Sequence, residues 1–149
     1  MKKVILVCGL PGTGKTTLAE QITNKLTNIG YTVNWYNADF LRQKLDDWDF
    51  SYEGRLRQAK RMKECADKHL TGYIIIDMVA PLPEFRDEIN PNIIIWVDTI
   101  NSGRFDNTNK MFIPPENYHF RVTEQDSDMW STKIVNDLTT SYIDLITTL

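Results

Sequence analysis

Five short segments rich in apolar and β-branched residues are spaced along the chain and predict strands. They cover residues 2–8, 31–36, 73–77, 92–98 and 118–122. The first, third and fourth are almost continuously apolar, which is typical of strands that are buried on both faces of a parallel sheet. The chain therefore carries the material for one five-stranded sheet.

Between these segments the apolar residues recur at spacings of three and four, the period of an amphipathic helix. Leu18, Ile22, Leu26 and Ile29 follow this period, and Gly30 ends it. The predicted helices cover residues 13–29, 39–45, 52–70 and 128–149. Alternating strands and helices predict an α/β fold with a central, mainly parallel sheet and helices on both of its faces.

Two helices begin at residues that can cap them. Asp39 is expected to cap the short helix that runs to Leu45, and Ser51 the helix of residues 52–70. The longer helix is expected to bury a stripe that ends at Leu70. Residues 101–117 follow neither period, and a loop of this length predicts a lid over a functional site.

Composition limits the classes of protein to which the chain can belong. Its 149 residues, 42% of them hydrophobic, suffice for one core, so we expect a single domain over residues 1–149. The net charge of -3 gives no general attraction for nucleic acid or an anionic membrane. No apolar stretch approaches the ~20 residues of a membrane-spanning helix, so a soluble protein is expected. Cys8 and Cys65 lack metal-binding spacing and fit packing positions in a cytoplasmic protein.

The clearest chemical signal is a glycine-rich loop between the first strand and the first helix. Residues 9–16 are GLPGTGKT and match the pattern G-x-x-x-x-G-K-S/T at every specified position. In such a loop the backbone N–H groups point at phosphate oxygens, the Lys15 ammonium reaches the β and γ phosphates, and the Thr16 hydroxyl ligates Mg2+. We therefore expect ATP and Mg2+ to bind here, in contact with Gly9, Leu10, Pro11, Gly12, Thr13, Gly14, Lys15, Thr16 and Thr17.

Acidic residues lie at or just after the ends of three predicted strands. Ligands gather at the carboxyl ends of strands in an open parallel sheet, so Asp39 and Asp77 are expected to face the nucleotide. Asp77 is then a candidate for holding the magnesium shell. An Asp that merely ends a strand is the simpler alternative. Asp98 also ends a strand and stays outside the predicted catalytic set.

A candidate acceptor site follows the second strand. Asp39 and Arg42 lie three residues apart, on one side of a helical turn. An Asp near the γ phosphate can take the proton of an acceptor hydroxyl, and an Arg beside it can bind an acceptor phosphate. Arg55, Arg57 and Gln58 are candidates for further anion contacts, although charged helix faces are commonly only solvated.

Taken together, these segments resemble the adenylylsulfate kinase family of P-loop kinases, in order and over most of the chain. Residues 9–19 are similar to the family's GLSGAGKTTxA, residues 37–42 to its DGDNxR, and residues 50–58 to its FSxxDRxEN. Residues 73–81 are similar to the stretch that ends in SFISP, residues 85–87 to part of RxxRD, and residues 97–99 to VDTP.

The resemblance implies a three-layer P-loop kinase fold and transfer of the ATP γ phosphate to the 3'-hydroxyl of adenosine 5'-phosphosulfate. With the loop motif, it implies Lys15 and Asp39 as catalytic residues, Asp39 lying beside the acceptor hydroxyl. It also implies that the acceptor contacts Arg42, Arg55, Gln58 and the backbone near Val79 and Ala80. Arg104 of the lid is expected on the ATP side.

Several positions depart from the family pattern. Asn37 stands in place of the first Asp, Phe40 in place of Asn, and Ala80 in place of Ser. Asp77 adds a carboxylate that the pattern lacks, which predicts that magnesium ligation has moved to this residue. The lid signature RDxKGLY is absent from residues 104–112.

Two other functions remain open from the sequence. One is a polynucleotide or nucleoside 5'-kinase, with a phosphate track formed by Arg57, Lys60, Arg61 and Lys68. The other is an ATP-binding protein without turnover. The expected partner is a small-molecule nucleotide rather than nucleic acid, and the sequence leaves a homodimer open.

Overall fold

The computed structural model describes the backbone of residues 1–147 and the side chains of residues 1–140. Within these residues the elements in chain order are β1 (Lys2–Cys8), α1 (Lys15–Ile29), β2 (Val33–Asn37), α2 (Ala38–Leu45), α3 (Tyr52–Asp67), β3 (Gly72–Asp77), α4 (Pro83–Ile89), β4 (Ile93–Val97), α5 (Asp106–Met111), β5 (Phe120–Val122) and α6 (Ser127–Thr147). The last predicted helical residues, 148–149, lie outside the described residues.

The five strands form one sheet in the order β2-β3-β1-β4-β5, and every pairing is parallel. β1 occupies the centre, and successive side chains of a strand point to opposite faces. Val4, Leu6 and Cys8 pack into a core with α3 and α4, whereas Ile5 and Val7 pack into a second core with α1 and α6. The predicted three-layer α/β fold is therefore confirmed.

The register of the sheet aligns residues at or next to the carboxyl ends of β1, β3 and the edge strand β2. Val7 pairs with Asp77, and Asp77 pairs with Asn37 on its other side. Because the strands are parallel, the segments that leave β1, β2 and β3 meet at one edge. The glycine-rich loop follows β1 at this edge, and α2 follows β2 without an intervening loop.

Two predictions about helix ends are wrong. Asn37, not Asp39, caps α2, because its side-chain oxygen accepts a hydrogen bond from the backbone N–H of Phe40. The α3 helix ends at Asp67, so Leu70 lies beyond it and is 89% exposed rather than buried. The Ser51 cap is confirmed, since its hydroxyl accepts from the N–H of Gly54.

Two short helices, α4 and α5, are not predicted by the sequence pattern. The α4 helix lies between β3 and β4 and buries Phe85 and Ile89 against the core of α3. The α5 helix lies inside the segment of residues 101–117, for which the sequence predicts an irregular loop. Among the residues that the structure describes, no helix is long and apolar enough to cross a bilayer. Cys8 and Cys65 are buried and unpaired, as expected for packing residues.

Candidate active site

The glycine-rich loop wraps around the end of β1 because its glycines adopt backbone angles that other residues disfavour. Gly9 has φ of +149°, and a Cβ on it would lie 2.3 Å from the carbonyl oxygen of Val97. Gly14 has φ of +95° and leads into the first turn of α1. The first N–H groups of α1 have no partner within the helix, so this turn presents donors and the positive end of the helix dipole to an anion.

Lys15 lies at the base of the loop and is only 9% exposed. Its Nζ donates to the carbonyl oxygen of Leu10 at 3.0 Å, and the Thr13 hydroxyl donates to the same oxygen at 2.9 Å. Burial lowers the pKa of the Lys15 ammonium, and the carboxylates of Asp77 and Asp39 oppose this shift. A bound phosphate would stabilise the charge that burial disfavours.

Thr16, Asn37 and Asp77 form a hydrogen-bonded triangle at the edge of the sheet. The Thr16 hydroxyl donates to Asp77 Oδ2 at 3.0 Å, and Asn37 Nδ2 donates to the same oxygen at 2.8 Å. Asn37 Nδ2 also lies 3.1 Å from Thr16 Oγ1. Burial raises the pKa of the Asp77 carboxyl, while Asn37, Lys15 and Thr16 counteract this effect. A threonine hydroxyl and a carboxylate are hard oxygen donors of the kind that Mg2+ prefers.

A cavity of about 270 Å³ opens above the loop and this triangle. Its walls come from the loop, from residues 37–39 and from residues 77–79, and Arg104 reaches it from the predicted lid. Asp39 is one of the lining residues. Six of the nine predicted loop residues line this space together with Asp39, Asp77 and Arg104, namely Pro11, Gly12, Gly14, Lys15, Thr16 and Thr17. Gly9, Leu10 and Thr13 do not line it.

The residues that are predicted to contact the acceptor line a second, smaller pocket of about 40 Å³, which we call the acceptor pocket after this prediction. They are Arg42, Arg55, Gln58, Val79 and Ala80, and Asp39 lines this pocket as well as the first. All of the proposed acceptor contacts thus lie together.

Backbone carbonyls and one hydroxyl orient the polar side chains of this second pocket. Arg42 Nη1 donates to the carbonyl oxygens of Asp47 and Asp49. Its Nε and Nη2 donate to no residue that the structure describes, which leaves hydrogens for an anion. Arg55 donates from Nε to a backbone carbonyl and from Nη2 to Thr108 Oγ1, both at 2.9 Å. Burial lowers the pKa of both guanidinium groups.

The predicted lid segment carries the short helix α5, which is attached to the acceptor pocket. Thr108 is buried and accepts the hydrogen bond from Arg55. Asn109 bonds in both directions with the backbone of Gly103, at 2.7 and 3.0 Å. On the other side, Arg86 donates to the carbonyl oxygens of Ala80 and Ile113. The loop after β3 and the end of the lid are therefore held by one arginine.

Comparison with known proteins places the chain in a family. The family model for adenylylsulphate kinase matches residues 1–97, about two thirds of the chain. The chain belongs to the adenylylsulphate kinase family. The match contains the glycine-rich loop, the triangle and the acceptor pocket residues, and it ends before the lid.

Curated relatives in this family are about one third identical. A probable adenylyl-sulfate kinase of Archaeoglobus fulgidus is 33% identical over 101 residues, which cover 66% of this chain and 65% of the relative. A probable adenylyl-sulfate kinase of Aeropyrum pernix is 32% identical over 89 residues, or 58% of this chain and 49% of the relative. The matched part thus spans between half and two thirds of these relatives.

Solved structures share the fold over nearly the whole chain. An APS kinase of Mycobacterium tuberculosis in complex with AMPPNP and APS has a TM-score of 0.78 and 18% identity, with 93% of this chain and 98% of that chain covered. A gluconokinase of Sinorhizobium meliloti has a TM-score of 0.70 and 12% identity, with coverage of 98% and 97%. At these identities the likeness concerns the fold alone.

The structure also places residues at the site that sequence reasoning did not select. The Phe50 ring lies under the guanidinium groups of both Arg42 and Arg55, at 4.5 and 5.3 Å from its centroid. The sequence feature that could have identified Phe50 is its position at the start of the segment that is similar to FSxxDRxEN. On the other side of the loop, a cleft of about 170 Å³ includes Thr17 and Gln125, whose side-chain amide donates to the carbonyl oxygen of Gly12. Nothing in the local sequence marks Gln125.

Two arginines of the predicted phosphate track are engaged in salt bridges. Arg57 pairs with Asp47 and Asp49, and Arg61 pairs with Asp47. Hydrogen bonds from Arg57 and Arg61 hold the pKa of the Asp47 carboxyl well below its usual range. Asp98, which stays outside the catalytic set, pairs with Arg121.

Proposed function

We propose that the protein is an ATP-dependent kinase that transfers the γ phosphate to the 3'-hydroxyl of adenosine 5'-phosphosulfate. The observation that carries the proposal is the position of Asp39, which lines both the phosphate cavity and the acceptor pocket. A carboxylate at this junction can meet the γ phosphate and an acceptor hydroxyl together. Membership of the adenylylsulphate kinase family supports this choice of acceptor.

ATP would bind with its phosphates in the glycine-rich loop. The loop N–H groups and the Lys15 ammonium would contact the β and γ phosphates, and Arg104 would approach them from the lid. Thr16 and Asp77 would hold Mg2+, which neutralises negative charge on the phosphates when it is bound. The γ phosphate would then lie in the cavity that Asp39 also lines.

The acceptor would bind in the pocket of Arg42 and Arg55. The free N–H groups of Arg42 supply charged donors for its anionic group, and the Phe50 ring offers an apolar face beside them. Asp39 then accepts the proton of the hydroxyl while that oxygen forms a bond to the γ phosphorus. The bond from this phosphorus to the bridging oxygen breaks, and ADP leaves with that oxygen.

The charge distribution of the residues that the structure describes does not support a polynucleotide kinase. Arg57 pairs with Asp47 and Asp49, and Arg61 pairs with Asp47, so neighbouring carboxylates offset the charge of two of the four residues of the predicted track.

A coupled assay of ADP release tests this function. Mg-ATP is supplied alone, with adenosine 5'-phosphosulfate, or with an oligonucleotide that carries a 5'-hydroxyl. We expect stimulation by adenosine 5'-phosphosulfate alone. Stimulation by the oligonucleotide would instead assign a nucleic-acid acceptor, and stimulation by neither, with ATP bound, would contradict the proposed transfer.

A further inference from the structure

The side-chain amide of Asn37 joins the two halves of the candidate active site. Its Nδ2 donates to Asp77 Oδ2 and to Thr16 Oγ1, at 2.8 and 3.1 Å. Its Oδ1 accepts from the N–H of Phe40 at 2.9 Å and so caps α2. One side chain therefore connects the proposed metal-binding edge to the helix that presents Asp39.

Positions 37 and 77 stand in the same relation to the Thr16 hydroxyl. Thr16 Oγ1 lies 3.0 Å from Asp77 Oδ2 and 3.1 Å from Asn37 Nδ2. The two residues are also direct partners in the β2–β3 register. A carboxylate at either position would face the same hydroxyl.

The contacts between positions 37 and 77 favour an amide side chain at one of them and a carboxylate at the other. Asp77 is 1% exposed, and its Oδ2 receives N–H and O–H donors from Asn37 and Thr16. Donors of this kind fix the orientation of a buried carboxylate. Two carboxylates at these positions would bring like charges within hydrogen-bonding distance of each other, which is unfavourable.

We propose that Asn37 is a positioning residue of the transfer reaction, which orients the Asp77 carboxylate with its N–H groups and sets α2, and with it Asp39, through its carbonyl oxygen. For the transfer step this inference rests on the proposed function. The geometry further implies that the amide and the carboxylate can exchange positions, because the two side chains meet Thr16 at nearly equal distances.

The variant Asn37→Ser separates the cap from the link to Asp77. Serine is a good N-cap, so the bond from Phe40 is kept, but its side chain is too short to reach the carboxylate at the same time. We expect kcat to fall by about 10- to 100-fold, the range for lost outer partners of a metal site. The affinity for a fluorescent ATP analogue and the melting temperature should stay close to the wild-type values. Ser51→Ala removes the side-chain cap of α3 and serves as a reference. It shows how far the melting temperature falls when a helix only loses its cap.

The exchange variant Asn37→Asp with Asp77→Asn tests the pair without relying on turnover. Mn2+ replaces Mg2+ in the complex with ADP, and its affinity is measured by water-proton relaxation. We expect Asp77→Asn alone to weaken Mn2+ binding about 10-fold or more, because a lost ligand should cost at least as much as a lost outer partner of a metal site. The exchange variant should recover most of that loss, since a carboxylate at position 37 also caps a helix and an amide at position 77 can donate to it.

Two results would overturn the inference. Wild-type kcat in Asn37→Ser would leave Asn37 as a helix cap only, and an exchange variant no better than Asp77→Asn would show that the positions are not equivalent. If the wild-type protein transfers phosphate to no acceptor, the proposed function fails, and the Mn2+ affinities still decide whether the pair acts as one unit.

Discussion

Lys15 and Asp77 both carry charge in surroundings that disfavour it. Burial lowers the pKa of the Lys15 ammonium and raises the pKa of the Asp77 carboxyl. The two groups oppose each other's shifts, and in the proposed complex the phosphates and Mg2+ would stabilise both. We therefore expect both residues to reduce the stability of the ligand-free protein while they serve binding.

Asp77→Asn tests this expectation through pH. Burial raises the pKa of the Asp77 carboxyl, so the folded protein keeps this proton at pH values above the ordinary pKa of 3.8. The unfolded chain has lost it at the same pH. Wild-type stability therefore falls as pH rises through this window, and the variant lacks that fall. In urea unfolding at about pH 4 and pH 7, the free energy of unfolding of the variant should rise relative to that of the wild type at the higher pH. The expectation would be contradicted if the free energy of unfolding of the wild type rose with pH relative to that of the variant.

Lys15→Met removes the ammonium and keeps the length of the side chain. Because phosphate would lose its buried cation, we expect ATP affinity to fall about 10-fold or more and the transfer rate about 100-fold or more, several kcal/mol in the transition state. Titration with a fluorescent ATP analogue and the coupled assay measure these effects. Lys25→Met is the matched control, since Lys25 pairs with Asp128 at the surface and should leave both values within about twofold. Normal turnover in Lys15→Met would refute the loop assignment.

The helix α5 of the predicted lid segment is held by polar contacts at the acceptor pocket and by Met111, which packs against the core of α3 and α4. Thr108 links it to Arg55, and Arg86 holds the chain just beyond it. The helix has only six residues, too few to be stable by itself. Its position therefore depends on these contacts, and an anion that draws Arg55 away from Thr108 would loosen it.

Thr108→Val removes the hydroxyl at nearly constant volume and leaves a donor of Arg55 unpaired. The cost of such a buried group is about 1–3 kcal/mol. We expect amide exchange in α5 to become about 10-fold faster or more, as measured by NMR or mass spectrometry. Thr27→Val is the control, because Thr27 lies on the exposed face of α1 and its hydroxyl donates only to the carbonyl oxygen of Thr23 in the same helix. Unchanged exchange in Thr108→Val would show that Thr108 does not hold the lid.

Elements with a strong local signal could be predicted from the sequence, and those that depend on distant partners could not. The apolar strands and the glycine-rich loop can be recognised from a few consecutive residues. The alternation of predicted strands and helices then predicts the fold. The short helix α4 forms because Phe85 and Ile89 find a core made by other elements. Asn37 rather than Asp39 caps α2 because the helix begins at Ala38, directly after β2, which puts Asp39 inside its first turn. The position of Phe50 under two arginines depends on the packing of α2 against α3, which no local pattern encodes.

At the scale of the whole molecule, the charge distribution favours a small acceptor. The chain has a net charge of -3, and Arg57 and Arg61 are paired with carboxylates. A protein that tracks a nucleic-acid backbone loses about 10³-fold or more in affinity between 50 and 200 mM salt. We expect the rate with adenosine 5'-phosphosulfate at low concentration to change less than about threefold over that range. A steep loss would point to an extended polyanion as the acceptor.

Asp39 lines both cavities and is expected to accept the proton of the acceptor hydroxyl, and transfer of label from ATP measures this step directly. ATP labelled in the γ phosphate is incubated with adenosine 5'-phosphosulfate, and the product is treated with a 3'-nucleotidase. We expect labelled product that releases its label under this treatment, and a rate lower by about 100-fold or more in Asp39→Asn with ATP affinity retained. Transfer by Asp39→Asn at the wild-type rate, or no labelled product from the wild-type protein, would contradict this expectation.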